Sequence, residues 1–265
     1  MGIINVTPDS FSDGGQLYTD QLDLDQTLFK ADEMVASGVG IIDVGGESTR
    51  PGADEVPLDE ELNRVIPVVE ALTSRFDTPI SVDTSSSAVM IEAAAAGVSL
   101  INDVRSLRRP GSLEAAVTTK LPVCLVHMQN EPGSMQASPI YRDVVAEVKN
   151  FLLEQRNRCL IAGIPSDKIL IDPGIGFGKT TQHNLALFRA IDQFVATDVP
   201  VLIGVSRKSF IGELLDEEPD QRLIGSVTMA VLAAQAGASV VRVHDVKETE
   251  QALTLLRYTQ NDFER

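Results

Sequence analysis

A series of short apolar runs in this sequence ends in residues that can hold a ligand or a proton: Asn5, Asp43, Asp83, Asn102, His127, Asp172, Ser206 and His244. Asp83, Asn102 and Asp172 supply acceptors and an amide. Such a set suits a flat heterocycle with amino and lactam groups, because one carboxylate can take two parallel N–H bonds. Lys208 and Arg242 add cationic donors, and Arg242, His244 and Asn5 could together hold a multiply charged oxyanion. Ser206-Arg207-Lys208-Ser209 opens a helical segment whose first amides extend the anion-binding capacity. Any one of these polar residues could simply cap a helix or shape a turn. Their recurrence at successive strand ends favours a site.

Other chemistries fit poorly. The three histidines, His127, His183 and His244, are scattered and His183 falls at a helix start, so zinc hydrolysis lacks its ligand cluster. Gly204-Val205-Ser206-Arg207-Lys208 lacks the second glycine of a nucleophile elbow. Asp172-Pro-Gly-Ile-Gly-Phe-Gly-Lys-Thr180 imitates two nucleotide motifs and satisfies neither. Pro173 stands where a Walker A loop needs glycine, and Lys179 stands where a dinucleotide fingerprint needs a small residue. Its glycines are read as allowing tight turns and close ligand approach. Met90, Met128 and Met135 are expected to pack, and Cys124 and Cys159, without metal-type spacing, to be reduced and structural.

The elements that must position these groups alternate. Apolar, β-branched runs predict strands at Gly2–Val6, Gly40–Val44, Pro79–Val82, Ser99–Asp103, Val123–His127, Ile169–Ile171, Val201–Val205 and Ser239–Val243. Amphipathic segments predict helices at Leu24–Ser37, Asp59–Arg75, Ser86–Ala96, Gly111–Thr119, Asp143–Ala162, Gln182–Ala196, Gln221–Ala236 and Glu248–Tyr258, with glycine caps at Gly38, Gly97, Gly163 and Gly237. Near-continuous apolar strands indicate a parallel sheet covered by helices. Eight such units in 265 residues point to an α/β fold, a closed (β/α)8 TIM barrel, with an open doubly wound sheet as the weaker alternative. No linker, repeat or composition shift divides the chain, so residues 1–265 are read as a single domain. In a barrel the polar strand ends converge on one face, where barrel active sites lie. The connections Thr7–Asp23 and Gly45–Leu58 are long enough to be functional loops.

A formal charge of −16 opposes association with nucleic acid or anionic membrane. Glu92 interrupts the longest apolar stretch, no signal core is present, and Val6 breaks the myristoylation pattern begun by Met1-Gly2, so the expected location is cytoplasmic.

Seven motifs, in order, resemble those of the dihydropteroate synthases, the folate-pathway enzymes that sulfonamides inhibit, and the resemblance spans essentially the whole chain. They are Met1-Gly-Ile-Ile-Asn-Val-Thr-Pro-Asp-Ser-Phe-Ser-Asp-Gly-Gly15, Ile42-Asp-Val-Gly-Gly-Glu-Ser-Thr-Arg-Pro-Gly52, Ser81-Val-Asp-Thr84, Ile101-Asn-Asp103, Asp172-Pro-Gly-Ile-Gly-Phe-Gly178, Ser206-Arg-Lys-Ser209 and Arg242-Val-His244. The resemblance implies condensation of a dihydropterin hydroxymethyl diphosphate with p-aminobenzoate, releasing pyrophosphate. It implies a pterin grip at Asp83, Asn102, Asp172, Lys208 and Thr49, and diphosphate binding at Asn5, Arg242, His244 and Arg50, with Mg²⁺ at Asn5. It assigns the p-aminobenzoate pocket to Phe11, Pro51, Phe177, Lys208 and Ser206, and catalysis to Asp83, Asp172, Lys208, Arg50, Asp9 and Asp13. It also implies a homodimer. Because the amine of p-aminobenzoate is a weak nucleophile, prior C–O cleavage to a pterin-methyl cation is the expected route, with electrostatics supplying most of the catalysis. Alternatives are a pterin-binding barrel of the methyltetrahydrofolate:corrinoid methyltransferase type and a catalytically silent pterin-binding homologue; the diphosphate clamp disfavours the first and the intact loop motifs the second. The family normally carries a leading segment, commonly a small hairpin, before the motif that opens here at Met1, and such a leader is expected to raise thermal stability.

Overall fold

The computed structural model describes residues 1–7, 23–48, 55–130, 135–136 and 139–260. The first half alternates β1 (Gly2–Asn5), α1 (Leu24–Ala36), β2 (Ile42–Gly45), α2 (Leu58–Arg75), β3 (Ile80–Asp83), α3 (Ser87–Ala95), β4 (Leu100–Asp103) and α4 (Ser112–Thr119). The second half continues with β5 (Val123–Val126), α5 (Val144–Ala162), β6 (Ile169–Asp172), α6 (Thr181–Arg189), α7 (Ile191–Val195), β7 (Leu202–Gly204), α8 (Ser209–Leu215), α9 (Leu223–Gln235), β8 (Val240–Arg242) and α10 (Val246–Gln260).

Strands β1 to β6 pair in chain order, all parallel, and β7 pairs with β8. Single parallel bridges, Ile171 to Val201 and Gly2 to Val243, join the two sheets. The Ile3 amide donates to the Val243 carbonyl at 3.0 Å and the Val243 amide to the Met1 carbonyl at 2.9 Å, which closes the ring. The expected barrel is therefore present, and the open sheet is excluded.

The core has two layers. One lies between strands and helices, where Ile4, Val44, Val82 and Ile101 meet Val68, Leu72, Met90 and Phe194. The other fills the barrel interior with Val104, Cys124, Val126, Met128, Met135 and Leu202. Both cysteines are buried and free, as expected. Helix ends follow sequence signals: Asp143 accepts from the amides of Val145 and Ala146 at the start of α5, and Gly38, Gly97, Gly163 and Gly237 all have positive φ. His183 belongs to a capping box with Thr180 at the start of α6.

Two elements depart from expectation. The single helix predicted over Gln182–Ala196 is two, because the chain leaves the helical ladder at Ala190 through shorter-range bonds from Ala190 to Leu187 and from Gln193 to Ala190. A further short helix, α8, follows strand β7, beyond the opening expected at Ser206–Ser209.

Candidate active site

Side chains alternate along a strand, so residues two apart share a face. On β1, β2 and β3 that puts Ile3 with Asn5, Asp43 with Gly45, and Ser81 with Asp83. Of these, Ile3, Asn5 and Asp83 line a cavity of about 490 Å³. Its walls include Asn5, Asp83, Asn102, Asp172, Phe177, Ser206, Lys208, Arg242 and His244, which brings together every described residue that the family resemblance assigns to the site. Asp9, Phe11, Asp13, Thr49, Arg50 and Pro51 lie outside the described residues.

Two polar strand ends expected to join this ring do not line the cavity. Asp43 sits one pleat lower and is fully buried. His127 is buried away from the cavity, edge-on to Phe151 at 4.9 Å between ring centroids. It serves the loop above β6 instead. There the Lys179 ammonium, itself buried, lies 2.9 Å from His127 Nδ1 and donates to the carbonyls of Gly174 and Phe177, each at 2.9 Å. Burial first, and the Lys179 charge second, push His127 down to about 2, so the imidazole is neutral. Gly174, at φ +66°, lies so close to β5 that a Cβ would fall 1.9 Å from the His127 carbonyl oxygen. Lys179, met in the sequence only as the residue that breaks a dinucleotide fingerprint, pins a glycine-rich loop whose carbonyls also accept from the Phe177 amide, Gln136 Nε2 and the Tyr141 hydroxyl. A lysine closing a run of spaced glycines is the signal that could have found it.

That loop presents its groups to the cavity. The Gly174 amide donates to Asp172 Oδ1 at 2.7 Å, and Lys208 Nζ stands 3.9 Å from the centroid of the Phe177 ring. Gly176 gives Lys208 room, since a Cβ there would come within 3.0 Å of its Cδ. Burial raises Asp172 from 3.8 to about 6, with the Gly174 amide, Lys208 and Lys179 pulling the other way. Burial lowers Lys208 from 10.5 to about 8, opposed by Asp172. Near neutrality the two therefore carry opposite charges and attract one another.

Opposite them, Arg242 Nε donates to Asp43 Oδ2 at 2.6 Å and its Nη2 to Asp83 Oδ2 at 2.9 Å. Burial raises Asp83, and the Arg242 charge opposes that rise. Beside Arg242, the His244 amide donates to Ser206 Oγ at 3.2 Å, and the hydroxyl lies 3.0 Å from His244 Nδ1. Burial, then Arg242, keep His244 neutral by lowering it well below its usual range.

Three further charged residues line the cavity without having been expected there: Glu47, Arg207 and Arg222. Glu47 forms a buried, two-pronged pair with Arg105, at 2.9 and 3.1 Å, which ties the start of the second long loop to the end of β4. Arg207 pairs with Asp245, and its carbonyl accepts from Arg222 Nη1 at 3.1 Å. Glu47 and Arg207 lie inside motifs the sequence displays; Arg222 lies in none, and only the turn before α9 brings it to the rim.

The family model described as pterin binding enzyme matches residues 1–244. Dihydropteroate synthase of Haemophilus influenzae is 52% identical over 98% of this chain and 94% of its own length. That of Escherichia coli K12 is 54% identical over 98% and 90%. Among solved structures, Yersinia pestis dihydropteroate synthase in a sulfonamide drug complex superposes with a TM-score of 0.95 at 53% identity, covering 98% of this chain and 93% of that one. The Xanthomonas albilineans enzyme in complex with 7,8-dihydropteroate gives 0.86 at 44% identity, covering 98% and 92%. Fold, ring of polar strand ends and end-to-end identity agree: the chain belongs to the pterin binding enzymes, in the dihydropteroate synthase family.

Proposed function

We propose that this barrel joins 6-hydroxymethyl-7,8-dihydropterin diphosphate to p-aminobenzoate, giving 7,8-dihydropteroate and pyrophosphate. The observation that carries this reading is the division of one cavity into an acceptor-rich wall, Asp83, Asn102 and Asp172, and an oxyanion-suited wall, Asn5, Arg242 and His244. Asp172 and the Asn102 carbonyl take N–H bonds from the heterocycle, and Lys208 lies against its edge. Arg242 and His244 hold the diphosphate. Phe177, Lys208 and Ser206 form the described walls of the p-aminobenzoate pocket, with the α8 amides near its carboxylate. The sequence motifs add Thr49 to the pterin grip, Arg50 to the diphosphate, Phe11 and Pro51 to the pocket, and Asp9 and Asp13 to catalysis.

The chemistry follows from charge. The C–O bond to the diphosphate breaks, its electron pair leaves on oxygen, and the exocyclic carbon becomes a pterin-stabilised cation. The aniline nitrogen then bonds to that carbon and releases its proton. Arg242, with Arg50, stabilises the growing negative charge, while the carboxylates of Asp83 and Asp172 favour the electron-poor ring. No covalent enzyme intermediate is needed. Mg²⁺ fits the donor set: it prefers oxygen ligands, keeps several waters and is commonly held by few protein groups plus substrate phosphates. Among the described residues no cluster of acidic, His or Cys side chains forms a metal cage. The Asn5 amide oxygen at the rim is the group that would hold the ion, which when bound supplies Lewis-acid neutralisation of the leaving diphosphate.

The whole chain, 1–265, acts as one domain and as a homodimer. Support for the dimer comes from α9 and α10, where Ile224 and Leu255 are 80% and 67% exposed. Among the described residues no helix is long and apolar enough to cross a membrane, and we place the enzyme in the cytoplasm. The reaction is tested by pyrophosphate release from the pterin diphosphate with and without p-aminobenzoate. Release that depends on the amine, with dihydropteroate formed, is expected; release indifferent to the amine, with no dihydropteroate, would sink the assignment.

A further inference from the structure

Asp43 touches no part of the cavity, yet it is bonded to two residues that do. Its Oδ2 accepts from Asn102 Nδ2 at 3.2 Å and from Arg242 Nε at 2.6 Å, while its Oδ1 is buried with no hydrogen-bond partner among the described residues. Asn102 is equally one-sided: its Nδ2 is spent on Asp43, and its Oδ1 is buried without a partner among the described residues. Unmet polar atoms are rare in protein interiors, and two in one bonded trio call for a cause.

The cause lies in what a carboxylate can do. It only accepts, so Asn102 must turn its NH2 to Asp43 and its carbonyl the other way. An amide could otherwise flip and offer either group to a ligand; against Asp43 it offers one. The same oxygen fixes the Arg242 guanidinium by its Nε, leaving both hydrogens on Nη1 and one on Nη2 for other partners. Gly45, directly above Asp43 on β2, brings no side chain between Asp43 and the rim.

We propose that Asp43 is a positioning residue that commits Asn102 to accepting an N–H from the pterin and, through the same oxygen, aims Arg242 at the diphosphate. It sets the hydrogen-bond polarity of the site from beneath, and so selects heterocycles with a donor edge. This rests on the pterin reading of the cavity.

The test compares wild type, D43A, D43N and N102D by KM for each substrate, kcat and Tm. D43A removes the acceptor and frees the Asn102 amide to flip; it raises the KM for pterin diphosphate about tenfold and leaves that for p-aminobenzoate within about twofold. In D43N the amide oxygen takes the place of Oδ2 and keeps both bonds, so its pterin KM stays within about threefold of wild type. N102D sets two carboxylates against each other and raises the pterin KM at least as much as D43A. Unchanged pterin KM in D43A, equal losses in both KM values and in Tm, or a D43N as impaired as D43A overturns the proposal. If D43A is recovered unfolded, D43N and N102D decide: a pterin KM raised about tenfold in D43N, or unchanged in N102D, overturns it. Wild type that binds no pterin would sink the assignment of the cavity instead, which keeps the two failures distinct.

Discussion

At the scale of residues, the site is built from charged groups held away from their ordinary titration ranges. Burial raises Asp172 to about 6 in the folded chain, so its contribution to folding is fully present below about 3.8 and lost as pH rises through about 6. Lys208, lowered to about 8, has the opposite sense: its contribution is present above about 10.5 and lost as pH falls through about 8. Between about 6 and 8 both are charged at a cost to stability, and in that window the ligand finds a carboxylate and an ammonium ready. Pterin affinity should therefore fall by about tenfold per pH unit below about 6, and D172N should abolish that limb. Calorimetric titration from pH 5 to 8 checks it; a flat profile in wild type would contradict the role given to Asp172. The same substitution should stabilise the ligand-free fold by roughly 1–3 kcal/mol at pH 7.5 and by little at pH 4, measured by urea unfolding. The described walls of the site were legible from strand ends and motifs. The depth of Asp43 and the diversion of His127 were not, because a polar residue at a strand end carries no mark of which pleat it occupies or which loop claims it.

At the scale of elements, the loop following β6 matters most, since it sets Phe177 and the amide that meets Asp172. Its shape depends on Gly174 lying against the His127 carbonyl and on Lys179 bonding the loop's own carbonyls. G174A adds both a left-handed alanine and a backbone collision, and should destabilise the fold by at least about 2 kcal/mol in chemical denaturation. K179M keeps the length and loses the donors. It should raise the KM for p-aminobenzoate more than that for the pterin diphosphate, because Phe177 loses its support while Asp172 keeps the Gly174 amide; equal changes would show that the loop holds the ring as well. Strand and helix periodicity made the other elements readable. The break at Ala190 carries no Pro or Gly to announce it, and Leu187, Ile191 and Phe194, all fully buried, keep an unbroken helical spacing across it.

At the scale of the molecule, eight parallel strands closing through β1 and β8 explain why residues as distant as Asn5 and His244 share one cavity. Alternation predicted the barrel; closure itself rests on register, which the pattern of apolar runs does not state. The outer face has its own consequence. A helix as apolar as α9, with Ile224 exposed beside its start, is expected to be covered by a second copy of the chain. Sedimentation equilibrium should give twice the 28.5 kDa chain mass for wild type and the single mass for I224E/L255E, and a monomeric wild type would contradict the dimer.

In the proposed reaction one cavity serves both the heterocycle and its diphosphate. A crystal structure with the pterin diphosphate and Mg²⁺ measures this directly. The ring is predicted against Asp83, Asn102, Asp172 and Lys208, and the diphosphate against Arg242 and His244 with the metal at Asn5. A ring bound without Asp172, or a diphosphate pointing away from Arg242, would contradict it.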